Sequence, residues 1–80
     1  MNDTEILSQL QTIFCDVLDN EDVVLSRLST AGDVDGWDSL AHLQLVVAIE
    51  KHFGIRFTSE EMFEWKKVGD MIGTIEARLA

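Results

Sequence analysis

Ile6, Leu7, Leu10, Ile13, Phe14, Val17 and Leu18 recur at steps of three, four and one, and nowhere do apolar and polar residues alternate over a strand's length. A 3.6-residue period with one apolar stripe commits such a chain to amphipathic helices. The first helix opens after Asp3 or Thr4, either of which can cap it. From Asp19 to Asp38 the period fades into small polar and acidic residues, with Val23-Val24 and Leu25/Leu28 as pegs onto a core and room for one short turn. A second helix is expected from Asp38-Ser39 to His52-Phe53, stopped by Gly54 in the position of a left-handed cap. Thr58-Ser59-Glu60-Glu61 caps a short third helix carrying Met62, Phe63 and Trp65. Val68, Met71, Ile72, Ile75 and Leu79 mark a fourth, despite Gly69 and Gly73, each of which costs ~1 kcal/mol against alanine. The fold class is all-α: an antiparallel four-helix bundle with a long loop between helices one and two.

The 80 residues fit one domain over 1–80. Fifteen acids against six bases give a net charge of −9, a field that repels phosphate backbones and anionic head groups. Nucleic acid and membrane surfaces are not expected partners. The longest apolar run, Leu45 to Ile49, falls far short of the ~20 residues a membrane span needs. One cysteine, Cys15, and an acidic start at Met1-Asn2-Asp3-Thr4-Glu5 point to a cytoplasmic monomer.

The second helix carries two apolar faces. At roughly 100° per residue, Leu45, Val46, Ile49 and Phe53 share one arc, while Leu40, Leu43 and Val47 fall on another. The first is core. The second either stays exposed as a contact surface or lies beneath the long loop. At the mouth of this helix Asp38 or Ser39 serves as cap. A helix N-terminus also suits a covalently attached phosphate, because unpaired N–H groups and the dipole stabilise negative charge there. Nothing nearby activates Ser39 as a nucleophile: Asp38 is too acidic for a base near neutrality, and His42 falls beside the core stripe as a half-buried structural residue.

Gly36-Trp37-Asp38-Ser39-Leu40, with Leu43, Leu45, Val46, Ala48-Ile49-Glu50 and Phe53-Gly54-Ile55, resembles the acyl carrier protein family. The likeness extends through Phe57-Thr58-Ser59-Glu60-Glu61 and Val68-Gly69-Asp70-Met71-Ile72 to nearly the whole chain. It implies that Ser39 carries a 4′-phosphopantetheine arm, joined through a phosphodiester by a phosphopantetheinyl transferase using coenzyme A and magnesium. The arm's thiol then holds an acyl group as a thioester, and the chain is a carrier, not an enzyme. The resemblance places Asp35 and Asp38 toward the transferase and the acyl-loading and acyl-transferring enzymes, with Leu40, Leu43, Val47 and Glu50 on the same recognition face. Fatty-acid carriers of this family usually hold acids where this chain has Ala41, Gln44 and Glu50-Lys51-His52. That departure points to a specialised pathway, such as polyketide, modified-sugar or other secondary biosynthesis. A fatty-acid biosynthetic pathway stands beside it, and a D-alanyl or aminoacyl cargo is the alternative.

Two rival classes make different demands on the sequence. A calcium loop starting at Asp33 needs acids or amides at positions one, three and five, glycine at six and glutamate at twelve; here five is Trp37, six is Asp38 and twelve is Gln44, so the register fails. A helical interaction module docking through Leu40, Leu43 and Val47 would bind partners whether or not Ser39 is present. His42 and His52 lack metal-ligand spacing, and Cys15 lacks the basic neighbours of a reactive thiol. Met62, Phe63, Trp65 and Met71 read as core and its margin, and Trp37 either meets partners or covers the loop.

Overall fold

The computed structural model describes residues 2–79, with four helices and, among those residues, no strand. Helix α1 spans Asp3–Leu18, α2 Ser39–Phe53, α3 Ser59–Glu64 and α4 Val68–Leu79. The order is that of an all-helical bundle with one long connection, from 19 to 38, between the first two helices.

Each terminus has a chemical cause. The cap of α1 is Asn2, not Asp3 or Thr4: its side-chain oxygen accepts from the Glu5 N–H at 2.9 Å. All three residue types can cap, and the polypeptide turns one residue earlier than expected. At the other end Asp19 takes the left-handed conformation (φ 50°), and the Asn20 N–H closes on the Cys15 carbonyl at 3.1 Å. A short polar side chain tolerates that backbone region better than an apolar one. Gly54 ends α2 in the same way (φ 68°), with the Ile55 N–H on the Glu50 carbonyl at 3.1 Å. Thr58 and Glu61 form a reciprocal capping box at α3: the Glu61 N–H meets Thr58 Oγ1 at 3.2 Å and the Thr58 N–H meets Glu61 Oε1 at 2.9 Å.

The core gathers one stripe from each long helix: Ile6, Leu10, Ile13 and Phe14 from α1, Leu45 and Ile49 from α2, and Val68, Met71, Ile72 and Ile75 from α4. Helix α3, six residues long, buries none of its own. Phe63, expected at the core margin, is 75% exposed, because so short a helix presents only one side to its neighbours.

The long connection is pinned rather than free. Val23 and Leu25 are buried as expected, but Val24 and Leu28 point outward. The side-chain amide of Gln11 holds the segment in place: its Nε2 donates to the Val23 carbonyl and its Oε1 accepts from the Leu25 N–H at 2.6 Å. Three i→i+3 closures follow, Ser29 on Ser26, Asp33 on Thr30 and Trp37 on Val34, where one turn was expected. The loop then serves α4, whose first N–H groups on Val68 and Gly69 donate to the carbonyls of Ser29 (2.9 Å) and Arg27 (2.8 Å). Gly69 suits this closeness: a Cβ there would stand 3.0 Å from the Arg27 carbonyl oxygen, so the loop backbone would have to give way.

Candidate functional site

The mouth of α2 is aimed by a buried aromatic. Gly36 adopts a positive φ of 86°, the Trp37 N–H closes on the Val34 carbonyl at 3.3 Å, and the turn drives the Trp37 ring inward. Trp37 is buried, its ring edge-on to Phe14 with centroids 4.9 Å apart. It covers the loop rather than reaching into solvent. Its indole N–H donates to His42 Nδ1 at 3.1 Å, and His42 Nε2 lies 3.3 Å from the Met62 carbonyl oxygen. An indole nitrogen can only donate, so Nδ1 is the acceptor and Nε2 carries the proton that reaches Met62. One imidazole thus ties the loop, α2 and α3 together. Trp65 closes the far side: its indole N–H donates to Thr74 Oγ1 at 3.0 Å, and its ring meets Phe57 edge-on at 4.9 Å.

Between the two possible caps of α2 the structure selects Asp38. Its Oδ1 accepts from the Ala41 N–H at 2.8 Å, and its carbonyl accepts from the His42 N–H at 2.8 Å. Ser39 is therefore the first helical residue, exposed, with its hydroxyl in no hydrogen bond among the described residues. An open groove of about 570 Å³ starts at this serine, walled by Trp37, His42, Leu43, Met62, Phe63 and Trp65.

The expected recognition residues separate into groups. Asp38, exposed, adjoins Ser39 as the helix cap, whereas Asp35, also exposed, lines a loop groove with Asn20, Asp22 and Asp33. Leu40, Leu43 and Val47 remain 66%, 48% and 48% exposed, so the loop does not cover them. Glu50 is half-buried, and its Oε2 accepts from the Phe57 N–H at 2.9 Å, pinning the strand of chain that leads into α3. Only its other oxygen is left to face a partner. The Gln11 clamp and the Trp37–His42–Met62 bridge were missed in the sequence, because each joins segments that no local spacing connects.

Among the described residues no side chain is placed to activate Ser39 as a nucleophile. Both nitrogens of His42 are committed, Asp38 is the helix cap, and no base reaches Ser39 Oγ. The geometry does fit a phosphate: the N–H groups of Ser39 and Leu40 have no intrahelical partner by construction of the first turn. Among the described residues no cluster of His, Cys, Asp and Glu could hold a metal ion, and no helix is long and apolar enough to cross a membrane.

The comparisons with known proteins agree. The family model described as a phosphopantetheine attachment site matches residues 8–75. The chain is 33% identical over 81 residues to an acyl carrier protein of Thermosynechococcus vestitus, an alignment covering 100% of this chain and 99% of that protein. The solution structure of a holo acyl carrier protein from Geobacter metallireducens is similar at a TM-score of 0.85 and 40% identity, covering 91% of this chain and 84% of that one. The chain belongs to the acyl carrier protein family, whose members are carriers and not enzymes and bear a phosphopantetheine prosthetic group.

Proposed function

We propose that Ser39 takes the 4′-phosphopantetheine arm on its Oγ, and that the chain, one carrier domain over residues 1–80, works as a cytoplasmic monomer holding acyl intermediates of a specialised biosynthetic pathway. The observation that carries this reading is the free, exposed hydroxyl at the first residue of a helix whose cap is already supplied by its neighbour. When bound, the arm supplies a terminal thiol that holds the cargo as a thioester. The protein's own residues do the rest. Asp38 fixes the first turn, so that the hydroxyl points outward at a constant place. Trp37 and His42 anchor that turn to the core and to α3. Asp35 and Asp38 offer carboxylates to the phosphopantetheinyl transferase and to acyl-loading and acyl-transferring enzymes, and Leu40, Leu43 and Val47 offer apolar contact.

The specialised-pathway reading is supported by what α2 exposes. Its first turn holds no acid, and its one carboxylate, Glu50, is half spent on Phe57. A carrier read mainly by attraction between its acids and basic enzymes would keep free carboxylates on this helix. Polyketide, modified-sugar and other secondary pathways all fit, and a D-alanyl or aminoacyl cargo remains the alternative.

Intact mass spectrometry after incubation with coenzyme A, magnesium and a broad-specificity transferase tests the attachment. Wild type gains the mass of one phosphopantetheine and Ser39→Ala gains none. Loading of the Ser39→Ala variant at another residue overturns the assignment. Elongation by fatty-acid synthase enzymes at the rate of their own carrier overturns the pathway reading.

A further inference from the structure

The far end of α2 has a polarity opposite to that of the molecule. Lys51 and Arg56 are both exposed, and among the described residues neither side chain makes an ion pair or hydrogen bond; the two ion pairs present use Arg27 with Asp3 and Arg78 with Glu61. The two free cations line one groove of about 440 Å³, together with Val47, Gly54, Ile55 and Glu50. Glu50 is the only carboxylate there, and its Oε2 is held by the Phe57 N–H. Lys66 and Lys67, exposed neighbours also without an ion pair, are placed differently: the groove that Lys66 lines contains Glu61, Glu64 and Asp70, so acids are already at hand there. Lys51 answers the negative end of the α2 dipole, but Arg56 lies beyond the helix and has no such role.

This groove continues a surface already described. Leu40, Leu43, Val47 and Lys51 fall within roughly an 80° stripe along α2, and twelve residues separate Ser39 from Lys51, about 18 Å along the axis. The stripe therefore runs from the mouth of α2, where Asp38 caps the helix, over an exposed apolar ridge, to two unpaired cations. In a protein of net charge −9, free cations gathered at one place complement a negative partner that the rest of the surface repels.

We propose that the Lys51–Arg56 groove is the distal half of this carrier's docking surface, and that it takes a carboxylate presented beside an apolar side chain by the enzyme that acts on the arm. The carboxylate sits between Lys51 and Arg56 while the apolar group covers Val47 and Ile55. The ridge between the two charged ends sets the direction in which a partner lies along α2, because a partner docked in reverse would place like charges together at both ends. The proposal rests on the carrier reading only for the identity of the partner.

The test uses isotope-labelled, phosphopantetheine-loaded protein and two peptide probes. One is an amphipathic helical peptide with leucines on one face and glutamates flanking them; its twin has every glutamate replaced by lysine. The acidic probe is expected to move the amide resonances of Val47, Lys51, Gly54 and Ile55, whereas the lysine probe moves those of Asp33 and Asp35 in the loop. Lys51→Glu with Arg56→Glu weakens the acidic probe by about tenfold or more, equivalent to ~1.4 kcal/mol. Lys51→Gln with Arg56→Gln, which removes charge without reversing it, weakens it in the same direction, and both double variants keep the circular dichroism spectrum and melting transition of a folded helical domain. The proposal is overturned if the lysine probe takes the α2 ridge, if the acidic probe leaves those four amides unmoved, or if its affinity survives both double variants. Failure of the wild type to gain phosphopantetheine mass overturns the carrier reading instead, and leaves the titration of the unloaded protein to judge the groove.

Discussion

Replacing Trp37 by phenylalanine isolates the hydrogen bond that sets the mouth of α2. The ring stays, so the edge-on contact with Phe14 at 4.9 Å survives in kind, but the N–H that meets His42 Nδ1 at 3.1 Å is gone. Leaving a buried acceptor unmatched costs ~1–3 kcal/mol. His42 is only half-buried and borders the open groove, so water can reach the orphaned nitrogen. The lower end, about 1 kcal/mol, therefore applies, plus ~0.5–1 kcal/mol for the smaller ring. For a domain of this size that lowers Tm by roughly 4–8 °C per kcal/mol. His42→Leu removes the same acceptor and also releases the Met62 carbonyl. Since the two single variants break one shared bond, the double variant should be less destabilised than their sum by ~0.5–1.5 kcal/mol. Urea denaturation followed by circular dichroism measures all four corners of the cycle. Additivity within the usual ~0.3–0.5 kcal/mol would refute the claim that this bond ties the Ser39 turn to the bundle.

Three further outcomes follow from the same contacts. Gly73→Ala, in helix α4 with open space around its Cβ, should stabilise by ~1 kcal/mol, whereas Gly69→Ala should destabilise, because its Cβ meets the carbonyl of Arg27 that its own N–H requires; thermal melts separate the two signs. Gln11→Leu keeps the side chain's bulk but loses both bonds to the 19–38 segment, costing ~1–3 kcal/mol in urea denaturation and raising hydrogen exchange at Leu25. The Thr58 N–H, with Arg78 beside it, holds the Glu61 carboxyl below the ordinary carboxylate range. A lowered folded pKa means that its contribution is fully present above the unfolded value near ~4.3 and fades as pH falls through the folded one, so Glu61→Gln should flatten that part of the stability profile under acid titration.

The helices were legible in the sequence wherever one residue type had only one use. Gly54 and Thr58 mark their boundaries because a left-handed cap and a capping box each need that chemistry. The start of α1 was less sharp, since Asn2, Asp3 and Thr4 are all competent caps and tertiary position chose among them. The two faces of α2 were legible because helical angles separate them without any knowledge of neighbours. Whether the second face is covered was not, because that depends on the path of the 19–38 segment. That path is set by the Gln11 amide, which satisfies an acceptor twelve residues away and a donor fourteen residues away. Phe63 was misplaced by residue type alone: an aromatic side chain in a one-and-a-half-turn helix had no second layer to enter. At the site, Ser39 could be singled out from its place before Leu40, but the Trp37–His42–Met62 bridge could not, as its members come from three segments.

The division of labour among the polar residues explains how one small surface can be both constant and available. Asp38, His42, Glu50 and Gln11 each direct polar atoms to the backbone or to a buried ring, and each thereby removes freedom from the scaffold around Ser39. An attachment point that must be found by successive enzymes gains from this, because fixing the turn in advance lowers the ordering cost of every encounter. Helix α2 itself has one carboxylate, Glu50, and one of its two oxygens is held by the Phe57 N–H. What remains outward is an apolar ridge with the Asp38 cap at one end and two cations at the other, a pattern whose specificity comes as much from the orientations it forbids as from the contacts it offers. Under the proposed docking, no strong bond to a partner is needed: weak apolar contact sets residence, and the opposed charges set direction.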